Sequence, residues 1–213
     1  MDDVYVDVIE TFTSIQGECS YSGYVCFFIR LAGCNLRCTY CDTPESYGPG
    51  VRTSIKTLVE EWRNSHASIV EITGGEPLLQ TGFSQLAEAL RNTSSRPVLV
   101  ETNGSLDISI VPEGVITIMD IKCPSSGESH RMNLNNINLL RKNDEVKFVI
   151  KNYSDYIWAR EFVQQYNLTS RCNSVFFSPV HNELSGSELS QWIVRDRLPV
   201  RLNVQLHKIL RVK

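Results

Sequence analysis

The chain has 213 residues, enough for one domain with a proper core, and its 21 Lys and Arg stand against 24 Asp and Glu, a formal net charge of −3. That balance gives no electrostatic reason for a nucleic-acid or membrane-surface partner, and no apolar run approaches the ~20 residues that a membrane-spanning helix needs. The opening Met1-Asp2-Asp3-Val4-Tyr5-Val6-Asp7 lacks the basic start and apolar stretch of a signal peptide, so a cytoplasmic protein is expected. Its seven cysteines are then thiols rather than a disulfide framework, with the scattered Cys19, Cys26, Cys123 and Cys172 read as small buried hydrophobes.

In chain order, residues 25–30 read as a buried strand that feeds a cysteine-rich loop. Ile55, Leu58, Val59 and Trp62 fall at i, i+3, i+4 and i+7 and predict a helix with one apolar face. Residues 68–73 form a strand ended by Gly74-Gly75, and Phe83, Leu86, Ala87 and Leu90 repeat the helical spacing. Strands follow at 98–101, 115–119, 146–150 and 175–177, with helices at 134–141, 154–166 and 188–194; Ser185 and Glu188 form a capping box for the last. Little helix fits between Val98 and Met119, so one crossover is short. Alternating strands and helices imply βαβ units in a mostly parallel sheet, and the length suits an incomplete α/β barrel within one domain, 1–213, better than a full eight-stranded one. In such a fold the site gathers at the C-terminal ends of strands, where the informative loops are expected to lie.

Cys34, Cys38 and Cys41 have the spacing C-x-x-x-C-x-x-C with no fourth cysteine nearby. Three thiolates can hold three irons of a 4Fe–4S cube and leave the fourth open to a substrate or cofactor. The alternatives are zinc, which usually takes four ligands and finds no histidine in this loop, or inert thiols. Thr73-Gly74-Gly75-Glu76-Pro77 follows a strand; its glycines permit close backbone approach to a ligand and its carboxylate could accept from an ammonium, though such a turn alone is more often an ordinary loop. Glu101-Thr102-Asn103-Gly104 and the segment from Asp120 through Lys122 to Gly127 end two more strands, with plain turns as the alternative. A further strand end carries Ser178 and His181. Near the N-terminus, Ile15-Gln16-Gly17-Glu18 presents paired donors and acceptors suited to a flat heterocycle edge, or forms a capped turn.

The cysteine triplet followed by the Gly-Gly-Glu-Pro turn resembles the radical S-adenosylmethionine superfamily. With Ser14-Ile15-Gln16-Gly17-Glu18, Arg30, Asp42-Thr43 and the C-terminal Gln205-Leu206-His207-Lys208 added, the chain resembles the 7-carboxy-7-deazaguanine synthase family along nearly its whole length. The resemblance implies conversion of 6-carboxy-5,6,7,8-tetrahydropterin to 7-carboxy-7-deazaguanine with loss of ammonia, started by a 5′-deoxyadenosyl radical from S-adenosylmethionine at the cluster. It also implies Mg²⁺ at Thr43, a homodimer, and an electron donor such as flavodoxin or ferredoxin. Ile15, Gln16, Gly17, Glu18, Arg30, Thr73 and the terminal Lys213 would meet the pterin. Gly74, Gly75, Glu76, Glu101, Asn103, Asp120, Lys122, Ser178 and His181 would meet S-adenosylmethionine. The chain departs from the family pattern at Cys19, usually glycine, and at Asp120, where Ser-Pro-Lys is more usual. The rival enzyme class is a glycyl-radical-enzyme activating protein, and the rival outside catalysis is a zinc- or cluster-stabilised interaction module.

Overall fold

The computed structural model describes residues 4–213; the first three, part of the segment read for a signal peptide, lie outside the described residues. Strand β1 (Tyr5–Ile15) pairs antiparallel with β2 (Val25–Leu31) on one side and with β3 (Val51–Ser54) on the other. From β2 the sheet continues parallel through β4 (Ile69–Gly74), β5 (Val98–Thr102), β6 (Ile116–Asp120), β7 (Glu145–Ile150), β8 (Ser174–Pro179) and β9 (Arg201–Leu202). The order β3-β1-β2-β4-β5-β6-β7-β8-β9 has two free edges, so the sheet does not close: it is the incomplete, mostly parallel α/β architecture expected.

Helices α1 (Ile55–Ser65), α2 (Phe83–Thr93), α4 (Tyr153–Gln165) and α6 (Gly186–Asp196) serve the crossovers. Local chemistry starts three of them: the side chains of Ser54, Asn152 and Ser185 accept from the backbone N–H of Thr57, Asp155 and Glu188. The β5–β6 connection carries only a 3-10 turn, the short crossover foreseen. The helix expected at 134–141 is reduced to α3 (Asn136–Leu139). The buried Asn136 side chain donates to Gly104 O and Leu106 O and accepts from Ile108 N, and this bonding to the neighbouring connection competes with helix propagation. Two short helices, α5 (Leu168–Arg171) and α7 (Leu206–Leu210), complete the set.

Period-2 alternation sorts the strand residues. Val70, Ile72, Val98 and Val100 pack outward with Leu58, Trp62, Phe83, Leu86 and Leu90 of α1 and α2. Val146, Phe148, Ile150, Val175 and Phe177 pack with Tyr156, Ala159 and Phe162 of α4 and Leu189 of α6. On the opposite face, Cys26, Phe28, Ile69, Leu99, Ile118 and Phe176 make a small apolar layer. Next along the same strands come Thr73, Glu101, Asp120 and Ser178, so the inner face turns polar toward the strand C-termini.

Candidate active site

That polar face and the loops above it bound a cavity of about 690 Å³, a size suited to small ligands. Nearly every residue singled out in the sequence lines it: Cys34, Cys38, Cys41 and Thr43 from the loop after β2; Thr73, Gly74 and Gly75 at the end of β4; Glu101 and Asn103 after β5; Asp120 and Lys122 after β6; His181 after β8; and Ile15, Gln16, Gly17, Glu18, Arg30 and Lys213. Glu76 and Ser178 do not line it. Glu76 is fully buried, its carboxyl accepting from Asn103 N (2.6 Å), Thr102 Oγ1 (2.8 Å) and Leu78 N (3.1 Å). It clamps two turns together instead of facing an ammonium, and burial pushes it up to about 7 against those donors. Ser178 is buried against Asn203, whose Nδ2 donates to its hydroxyl at 2.8 Å.

Three strand ends pin the cysteine loop. Glu76 N donates to Gly33 O (2.8 Å). A Cβ on Gly75 would collide with the Gly33 carbonyl and stand 2.8 Å from Cys34 Cβ, so the turn after β4 seats directly against the loop. Asn103 Nδ2 donates to Asn35 Oδ1 (3.1 Å), and Asn35 Nδ2 to Ser105 Oγ (2.8 Å). Thr39 donates to Ser125 O (2.7 Å) and Ser126 O (3.0 Å), and Arg37 N to Glu128 Oε1 (2.7 Å). Tyr40, between the last two cysteines, donates its hydroxyl to Val149 O of β7.

The donor set fits a cluster. The three thiols share one cavity wall, and Cys34 Sγ already accepts from Leu36 N (3.5 Å) and Asn103 Nδ2 (3.9 Å), the kind of sulfur hydrogen bond that tunes iron–sulfur centres. Burial raises the Cys34 thiol and takes Cys38 up to about 11, with nearby Lys122 opposing, so deprotonation of these ligands is linked to binding of a cationic centre. Among the described residues no three His, Cys, Asp or Glu side chains converge on a single ion. Beside the triplet, Thr43 does not cap the following 3-10 turn with its side chain; its hydroxyl donates to Asp42 Oδ1 (3.2 Å), and Asp42 pairs with Lys208 (2.7 Å).

The floor has a different origin. Because β1 runs antiparallel to β2, Gln16–Glu18 leave it at the N-terminal end of the parallel strands and cross the inner face. This corrects the expectation that every informative loop sits at strand C-termini. Glu18 reaches Lys147, a buried cation on β7 that also pairs with Glu101 and lies 4.0 Å from Asp120. Burial works against the charge on Lys147, but these carboxylates hold its proton well above the usual lysine range, and Lys147 in turn holds Glu18 below the usual carboxylate range. Asp120 also pairs with Lys122 (2.8 Å), while its Oδ1 is buried without a partner. Arg30 on β2 gives its Nε to Glu10 (3.0 Å) and lies over the Phe12 ring, leaving its terminal nitrogens to the cavity.

The C-terminal segment closes one side. Leu206 N donates to Gly17 O (2.9 Å), Gln205 Nε2 to Glu18 Oε1 (2.8 Å), and a Cβ at Gly17 would collide with the His207 ring. Lys213 pairs with Glu10 and lies 4.9 Å from the Phe12 ring centroid. Sequence reasoning assigned no site role to Glu10, Glu71, Lys147, Gln205, His207 or Lys208, all of which line the cavity.

Residues 28–121 match the radical SAM superfamily. The chain is 38% identical to a 7-carboxy-7-deazaguanine synthase of Koribacter versatilis, covering 96% of each chain. It is 40% identical to one of Chlorobaculum tepidum, covering 96% of this chain and 94% of the other. In fold it is similar to the crystal structure of QueE from Escherichia coli, with a TM-score of 0.72 at 21% identity over 95% of each chain. A weaker likeness, TM-score 0.54 at 14% identity, links 80% of this chain to 44% of Streptococcus suis SuiB bound to S-adenosylmethionine.

Proposed function

This chain belongs to the 7-carboxy-7-deazaguanine synthase family, and on that premise we propose how its cavity divides. The protein is a radical S-adenosylmethionine enzyme that converts 6-carboxy-5,6,7,8-tetrahydropterin to 7-carboxy-7-deazaguanine with release of ammonia. When bound, the 4Fe–4S cluster and S-adenosylmethionine would supply radical chemistry able to abstract hydrogen from the substrate. Cys34, Cys38 and Cys41 hold the cluster, and the turns at Gly74-Gly75, Glu101–Asn103 and Asp120–Lys122, with His181, receive S-adenosylmethionine between the cysteine loop and the sheet. The partnerless Oδ1 of Asp120 accepts one of its donors.

The pterin lies on the floor. Gln16 and Glu18 meet its ring edge, Thr73 its face, and Arg30 its carboxylate through the terminal nitrogens left free by Glu10, with Lys213 as a second cation. The observation that carries this reading is that one cavity joins the three thiols and Arg30 to the Gln16–Glu18 loop, although that loop enters from the opposite end of the sheet. A glycyl-radical-enzyme activating protein, which acts on a protein partner, has no use for that floor and is not favoured. The reading includes Mg²⁺ at Thr43, where the hydroxyl and the Asp42 carboxylate offer hard oxygen donors to an ion that keeps much of its water. A single-domain homodimer in the cytoplasm and a flavodoxin or ferredoxin as reductant complete it, on the strength of family likeness. Anaerobic reconstitution with iron, sulfide, S-adenosylmethionine, Mg²⁺, dithionite and the tetrahydropterin should yield ammonia and 7-carboxy-7-deazaguanine in equal amounts. Absence of both overturns the reading.

A further inference from the structure

Among the carboxyls of the floor, Glu71 is the one without a cation. Glu18, Glu101 and Asp120 share Lys147, whereas Glu71, fully enclosed on β4 and 3% exposed, forms no ion pair among the described residues. Gln16 Nε2 donates to its Oε2. The orientation of that amide is set from its other end. The backbone N–H of Glu18 can only donate, so the Gln16 atom 3.0 Å from it must be the oxygen, and the nitrogen faces Glu71. The second oxygen, Oε1, makes no hydrogen bond with the described residues, and Glu71 lines the cavity.

The surroundings decide its charge. Burial favours the neutral acid most, and the carboxylates of Glu101 and Glu18 add to it; Lys147 and Arg30 oppose, the first already shared among three carboxylates. Cys26 also faces it, and its thiol is held neutral by burial. With Oε2 accepting from Gln16, the proton of a neutral Glu71 sits on Oε1. A neutral carboxyl there offers the cavity a hydrogen-bond donor beside the carboxylates of Glu18 and Glu101.

We propose that Glu71 is a substrate-reading residue, a neutral carboxylic acid whose Oε1–H donates to an acceptor on the ring edge of an amino-pyrimidinone, its carbonyl oxygen or a ring nitrogen. This deepens the pterin reading above and rests on it. The residue discriminates by polarity: a ring bearing an amine in place of that carbonyl would set donor against donor and leave both unsatisfied.

The test compares Glu71→Leu with Glu71→Gln in the reconstituted enzyme, measuring the dissociation constant of 6-carboxy-5,6,7,8-tetrahydropterin and S-adenosylmethionine cleavage in its presence. Glu71→Leu removes the donor and should weaken substrate binding roughly tenfold. Glu71→Gln keeps a carbonyl for Gln16 and an N–H for the cavity, and should restore most of the loss. Equal weakening in both variants would show that Glu71 acts as an anion and overturn the proposal, as would no weakening in either. Iron content and the thermal midpoint of each variant separate these outcomes from misfolding. A wild-type enzyme that neither binds nor turns over the pterin would instead sink the broader functional reading.

Discussion

Replacing Lys147 with Met keeps an unbranched stem on β7 but leaves Glu18 and Glu101 without their cation, while Asp120 keeps Lys122. The Lys147 side chain is 5% exposed, with Glu18 at 2.7 Å and Asp120 at 4.0 Å. Removing one partner of a buried charge pair costs about 3–5 kcal/mol, because the remaining charge is left desolvated and unpaired. In a chain of this size that lowers the melting midpoint by about 6–20 °C. The pH dependence separates charge from packing. In the wild type Lys147 holds Glu18 below its unfolded value, so Glu18 contributes stability above that value and loses it as pH falls through the folded one. In Lys147→Met, Glu18 and Glu101 lose the cation that opposes burial, so both are raised and cost stability as pH rises through their folded values. The gap between the two proteins is therefore widest near neutral pH and narrows toward pH ~5. Urea denaturation at both pH values measures it. A gap of equal size at both would refute the electrostatic account and assign the loss to packing.

Four further outcomes follow from the geometry. Gly75→Ala drives a methyl into the Gly33 carbonyl and against Cys34 Cβ, so iron content after reconstitution should fall severalfold while the far-ultraviolet circular dichroism stays unchanged. Thr43→Ala should leave the cluster absorbance intact and flatten the response of turnover to Mg²⁺; an unaltered response removes Thr43 as a ligand. Arg30→Lys should raise KM for the pterin about tenfold through loss of the planar fork, whereas a site that reads the carboxylate only as charge would tolerate it. Removing iron with a chelator should abolish S-adenosylmethionine cleavage and, since the cysteine loop is pinned by backbone and side-chain bonds from three strand ends, leave the sheet folded.

The parts legible in the sequence were those with a local signature. The cysteine spacing, the Gly-Gly turn and the apolar faces of α1 and α2 each lie within a dozen residues, and each occupies the place foreseen for it. Lys147 and Glu71 escaped because a charged residue at an alternating strand position ordinarily marks a solvated face; here curvature of the sheet and the loop across it turn that face into a closed floor. Glu76 misled for the opposite reason. Its motif suggested a ligand, but whether a carboxylate faces a cavity or two backbone turns depends on neighbours far away in the chain, Thr102 and Asn103. The short β9 and α7 carry too few residues for periodicity to register at all.

The Gln16–Glu18 loop reaches the floor from the end of the sheet opposite the cysteine loop, whose side-chain bonds run to residues after β5 and β6. The seat proposed for the cluster and the part of the floor proposed for the ring edge are thus built from opposite ends of the sheet. Among the described residues the side chains of Gln16 and Glu18 bond to Glu71, Lys147 and Gln205 and not to the cysteine loop, so a change there leaves the loop's own bonds in place. The interior of the sheet, where Lys147 ties Glu18 to Glu101 below the upper loops, is where the two meet.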